Sequence, residues 1–97
     1  MDAAMKKIVT DEMLSAAARN PGADQLFAND LGVGERYSLW KQTLPNMSLD
    51  MRLKMKYILD TWEVEQGREA GASKMMEVLG QTGRPDYRSL LDKLQVV

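Results

Sequence analysis

The apolar positions of this chain recur at steps of three and four residues, and alternation of apolar and polar residues over six positions is hard to find. That spacing is the period of one helix face, not of a half-buried strand. Turn-forming residues punctuate it at Asn20-Pro21-Gly22, Gly32-Val33-Gly34, Pro45-Asn46, the glycine-bounded residues 67–71, and Gly83-Arg84-Pro85. Those breaks leave six short segments, each predicted to be a helix.

The first is predicted to start at Thr10, which can cap it, with Asp11 and Glu12 at the positive end of its dipole. Met13, Leu14, Ala17 and Ala18 form its apolar face, and Pro21 ends it by disfavouring helix at Asn20. Residues 1–9 read as an N-terminal extension or an extra helical turn in which Met5, Ile8 and Val9 cover the core edge, and residues 10–95 as the bundle itself. The second segment, residues 23–31, turns Phe27, Ala28 and Leu31 inward and stops at Gly32. In the third, residues 35–44, the inward positions are Val33, Tyr37, Trp40 and Leu44. The fourth, residues 49–66, is the longest. Ser48 is its expected cap, Asp50 lies in its first turn, and Met51, Met55, Ile58, Leu59 and Trp62 share a stripe about 100° wide. The fifth, residues 72–80, buries Ala72, Met75, Met76 and Leu79. The last opens with Pro85, whose missing N–H costs nothing in a first turn, and buries Tyr87, Leu90, Leu91 and Leu94. Helices this short are held by packing. The expected fold is all-α, a six-helix antiparallel bundle.

Composition narrows the chemistry. Ninety-seven residues suit one domain, and 44% hydrophobic with 28% charged residues is ordinary for a folded chain. A net charge of −1 supplies no global field for nucleic acid or anionic lipid. With no Cys there is no disulfide, thiolate nucleophile or Cys-based zinc site, and with no His the commonest general base and metal ligand is missing. Gly32-x-Gly34 lacks the third glycine and the preceding strand of a dinucleotide fingerprint, and no P-loop or G-x-S-x-G appears. The chain has no run of about 18 apolar residues with which to span a membrane, and the opening MDAAMKKIV has no signal-peptide core. The expectation is a cytoplasmic binding module, not an enzyme, with no cofactor and no metal.

Asp60, Glu63 and Glu65 read as solvated acids, because nothing joins them to make a catalytic or calcium site. Trp62 reads as a core anchor, since four aliphatic side chains share its stripe, and the methionines read as gap-fillers. Helix-turn-helix DNA binding would need a basic recognition helix. Only the fourth segment clusters bases, Arg52, Lys54 and Lys56, and acids follow them at once. That order opposes the helix dipole. Local i, i+4 pairing offsets part of the cost, and a surface split into plus and minus patches suits head-to-tail self-association. Random surface charge is the alternative.

Three stretches resemble the death domain family. Phe27-Ala28-Asn29-Asp30-Leu31-Gly32 is similar to that family's "L-A-x-x-L-G" second helix. Ile58-Leu59-Asp60-Thr61-Trp62-Glu63 resembles the "hydrophobic-Leu-x-x-Trp" end of its fourth. Gly67-Arg68-Glu69-Ala70, Met75-Met76, Val78-Leu79 and Gly83-Arg84-Pro85-Asp86 resemble its "G-x-x-A … L … L … G-R-x-D" tail. Order and spacing fit over residues 10–95. The Leu-Asp-x-Trp-Glu wording, with Tyr37 and Trp40, is similar to netrin-receptor and ankyrin-type members. One position departs: the family usually carries Trp where this chain has Asp24, and Trp40 is expected to fill the lost volume.

The resemblance implies homotypic assembly with other death-domain proteins, possibly with itself, in apoptotic, immune or receptor signalling, with no nucleic acid and no membrane insertion. The contact residues it implies are Arg52, Lys56, Asp60 and Glu63 on the fourth helix, Asp24, Asn29 and Asp30 on the second, Glu35, Arg36 and Lys41 on the third, and Arg84 and Asp86 at the last corner. Helix geometry adds Tyr57, expected to be partly exposed beside Leu53 as a small apolar centre rimmed by charge. The alternatives are a structural helical domain from a larger protein, with no homotypic partner, and a helix-turn-helix nucleic-acid binder.

Overall fold

Asp2, not Thr10, caps the first helix. In the computed structural model, which describes residues 1–44 and 50–97, its carboxylate accepts the Met5 N–H at 2.8 Å and α1 runs unbroken over Ala3–Arg19. The cause is the buried face. Met5, Val9, Met13 and Ala16 recur at i, i+4, i+8 and i+11 and are all buried, so the apolar stripe continues through Thr10. Asp11 and Glu12 are mid-helix residues that pair outward. The stripe is also rotated from the expected one: Leu14 and Ala17 lie at its half-buried edge and Ala18 is exposed.

The remaining helices are α2 (Ala23–Asp30), α3 (Gly34–Gln42), α4 (Met51–Gln66), α5 (Ala72–Gly80) and α6 (Arg88–Leu94), with 3-10 turns at Gly67–Glu69 and Pro85–Tyr87. Among the described residues there is no strand. Ser48 and Leu49 lie outside the described residues. Asp50 caps α4, accepting the Arg52 N–H at 3.1 Å.

The join between α2 and α3 is tight, three residues long. Gly32 takes φ +82°, open to glycine and strained for other residues. Gly34 begins α3 against the end of α2: a Cβ there would lie 1.8 Å from Asn29 Oδ1 and 2.9 Å from Asn29 Cα. Gln25 spans the turn, donating to the Gly34 carbonyl at 3.1 Å and accepting from Ser38 Oγ at 3.0 Å.

Ion pairs show how α1 and α4 run. Lys6, early in α1, meets Asp60 and Glu63 late in α4, while Asp11 meets Arg52 at the start of α4. The two helices are therefore antiparallel. Lys93 of α6 pairs with Glu12 on another side of α1. One core fills the space between the helices. Trp62, Tyr37, Phe27, Met5, Met13, Met55, Ile58, Leu59, Met75, Leu79, Leu90 and Leu94 are its largest fully buried side chains. The Cα radius of gyration, 12.7 Å, matches the roughly 13 Å of a single 100-residue domain.

Candidate protein-interaction surface

Asp50 and the core stripe fix how α4 sits, and its outward flank then carries Arg52, Lys56, Asp60 and Glu63 in that order. The order opposes the dipole because α1 supplies the complementary charges. Lys6 Nζ lies 3.3 Å from Glu63 and 3.8 Å from Asp60, Arg52 lies 3.8 Å from Asp11, Asp11 takes Lys7 at 2.8 Å, and Lys56 and Asp60 pair at 2.8 Å. The Met1 amino group also meets Glu63. That amino group, followed by Lys6, holds the Glu63 carboxyl below its ordinary value against the opposing effect of burial. The plus and minus halves of α4 are thus already partnered within the chain, mostly by side chains partly open to solvent. Pairs this exposed are weak.

The second-helix residues lie elsewhere. Asp24 is buried, at 7% exposure, and is not a contact residue on the free surface. Its carboxylate accepts the Tyr37 hydroxyl, and Lys41 Nζ stands 3.9 Å away and 4.4 Å from the Tyr37 ring centroid. Burial first, then the hydrogen bond and charge of Asp24, push the Tyr37 hydroxyl pKa far up, so the phenol stays a donor. The side chain that meets Asp24 is thus Tyr37, and not Trp40 as expected. Trp40 stacks on Tyr57, centroids 4.3 Å apart and planes within 8°, with the Tyr37 ring 6.0 Å from it on α3. Asn29 is exposed and accepts from Gln25 at 3.0 Å.

Asp30 works inside the fold. Arg84 reaches it with two N–H groups at 2.7 and 3.1 Å, and the Tyr87 hydroxyl donates to it at 2.5 Å. Asp86, beside them, accepts from Asn20 Nδ2 at 2.8 Å. Asp30, Arg84 and Asp86 thus join α2, the α1–α2 turn and the corner before α6. A surface hollow beside this corner is lined by Arg84, Pro85, Arg88 and Leu91.

On α3, Glu35 and Arg36 are exposed and Lys41 is half-buried. Arg36 pairs with Glu65 of α4 at 3.1 Å. Tyr57 is half-buried under Trp40, with its hydroxyl 3.4 Å from the Arg36 carbonyl. Leu53 is exposed on the same side of α4. The expected Tyr–Leu pair is therefore divided: Leu53 stands in solvent while Tyr57 belongs mostly to the α3–α4 contact.

The structure brings together Arg52, Lys56, Asp60 and Glu63 on one flank, and Asp30, Arg84 and Asp86 at one corner. Sequence reasoning missed Leu39, which is exposed, and the α1 partners Lys6 and Asp11; it did set Val64 on the face opposite the core, and Val64 is exposed. Val64 shares the Leu53 face by spacing alone, a signal that was present in the sequence. Among the described residues no group of three or more Asp, Glu, His or Cys could hold a metal ion, and no helix is long and apolar enough to cross a membrane. Compared with family models, curated proteins and solved structures, the chain matches none.

Proposed function

We propose that this chain is a death-domain-like interaction module, an antiparallel six-helix bundle that binds proteins of its own kind in a cytoplasmic signalling complex and catalyses no reaction. The observation that carries the reading is the corner where two of the resembling stretches meet. Arg84 of Gly83-Arg84-Pro85-Asp86 holds Asp30 of Phe27-Ala28-Asn29-Asp30-Leu31-Gly32, and Phe27 packs edge-on to Tyr87 with centroids 6.1 Å apart. Trp62, from the remaining stretch Ile58-Leu59-Asp60-Thr61-Trp62-Glu63, is fully buried in the shared core. Stretches chosen for their wording alone thus take up structural work in one fold, which supports reading them as one pattern. The charged flank of α4, with Arg52 and Lys56 exposed and Asp60 and Glu63 half-buried, is the surface offered to a partner.

The test is a binding assay of the purified chain against a panel of purified death domains. Capture by at least one of them, lost in the Arg52→Glu, Lys56→Glu double variant with an unchanged helical spectrum, is the expected result. No capture across the panel overturns the reading.

A further inference from the structure

Two exposed aliphatic side chains on α4 have no role in the fold: Leu53 is 51% and Val64 80% exposed. Their i, i+11 spacing returns to within about 20° around a helix, so they stand on one line. Tyr57, half-buried under Trp40, lies between them in sequence. Beside that line Arg52, Lys56, Asp60 and Glu63 follow at i, i+4, i+8 and i+11, in the order base, base, acid, acid.

That order has a symmetry. A second α4 laid alongside in the same direction sets like charge against like. Turned end for end about a two-fold axis close to Tyr57 and Ile58, it sets Arg52 opposite Glu63 of the second copy and Lys56 opposite Asp60 of the second copy. The same rotation sets Leu53 opposite Val64 of the second copy. The three pairings place the axis within about one residue of the same point, a mismatch on the order of the 1.5 Å helical rise. Apolar meets apolar and each base meets an acid, as a self-complementary two-fold contact requires.

We propose that the outward ridge of α4 is a self-association surface on which two copies of this chain pair antiparallel as a closed dimer. The proposal deepens the function proposed above, because it takes the partner to be a second copy and names the face. Lys6 and Asp11 do not close the face. The side chains of these pairs keep 30% to 63% of their surface open, the Met1 amino group and Lys6 meet different oxygens of Glu63, and a carboxylate oxygen accepts from a neighbour and from a second copy at once.

The experiment is sedimentation equilibrium of the full chain from micromolar to millimolar concentration, at low and high salt. Two charge variants are compared, Arg52→Glu with Lys56→Glu and Asp60→Lys with Glu63→Lys. Circular dichroism melts check that each is folded. The expected result is a wild-type dimer weakened by salt, each variant weakened at least about tenfold, and an equimolar mixture of the two variants restored to a dimer. A third variant, Leu53→Ser with Val64→Ser, keeps every charge and weakens the dimer at high salt, so the test stands even where a charge variant fails to fold. A monomeric wild type, a mixture that stays monomeric, or assembly beyond a dimer overturns the proposal. Dimerisation through this face with no death domain bound keeps the surface and overturns the family reading; binding to the panel without dimerisation does the reverse.

Discussion

Arg84 and Asp30, 54 positions apart, form a two-point ion pair at 2.7 and 3.1 Å that fastens the last corner of the chain to the end of α2. Burial alone would raise the Asp30 carboxyl. Arg84 and Tyr87 overcome it and hold the carboxyl below its ordinary value. A depressed carboxyl contributes stability that is fully present above the unfolded value, about 4, and lost as pH falls through the lower folded value. Urea midpoints are therefore expected to fall below about pH 4. Asp30→Asn is expected to cost about 2 kcal/mol at neutral pH and to flatten that fall. An acid limb as steep as wild type would remove Asp30 as its source.

Gly34→Ala is expected to destabilise the α2–α3 turn by about 1–3 kcal/mol. The Asn29 side chain can swing away from a new methyl group, but its Cα, 2.9 Å from the Cβ position, is backbone. Adding Asn29→Ala should therefore recover only part of the loss. Thermal melts of the single and double variants decide this, and full recovery would show that the side chain alone sets the limit.

Trp62 is fully buried, and its indole N–H has no acceptor among the described residues. Trp62→Ala is expected to cost about 3–5 kcal/mol. Trp62→Phe removes the unpaired donor along with some volume, so part of its packing loss is offset by the desolvation penalty it relieves. Chemical denaturation should place it well under half the cost of the alanine variant. Equal costs would mean that the N–H is satisfied.

Tyr57 separates stacking from hydrogen bonding. Its hydroxyl stands at a long 3.4 Å from the Arg36 carbonyl, while its ring lies flat on Trp40. Tyr57→Phe is expected to change stability by less than about 0.5 kcal/mol, and Tyr57→Ala to cost about 2 kcal/mol through the lost stack and burial. A neutral alanine variant would show that the stack contributes nothing.

Much of the architecture was legible from spacing. The stripe from Met55 to Trp62 is buried as its period demands, and α5 runs between the glycines that bound it. What escaped depends on distant partners. Thr10-Asp11-Glu12 imitates a helix start, and only the burial of Met5 and Val9 beneath other helices shows that α1 begins earlier. Asp24 looks like a surface acid until the turn at Gly32 brings Tyr37 onto it. The wheel sets Tyr57 opposite the core, but no periodicity within α4 foretells that α3 lays Trp40 over its ring. The charges of α4 were visible, their α1 counterparts were not, since Lys6 and Glu63 are remote in sequence.

Four core positions, Met5, Met13, Met55 and Met75, carry thioethers that are almost wholly shielded, whereas Met51 and Met76 sit half-buried at the edge. A sulfoxide is polar and does not fit an apolar interior. Peroxide therefore acts as a clock for breathing motions: the edge sulfurs react from the closed bundle, and the interior four only when the helices part. Once oxidised, an interior sulfur opposes closure, so each opening under oxidant shifts the population further from the packed state. A core filled with flexible side chains that adapt their shape to gaps is, in an oxidising medium, a core that records its own openings.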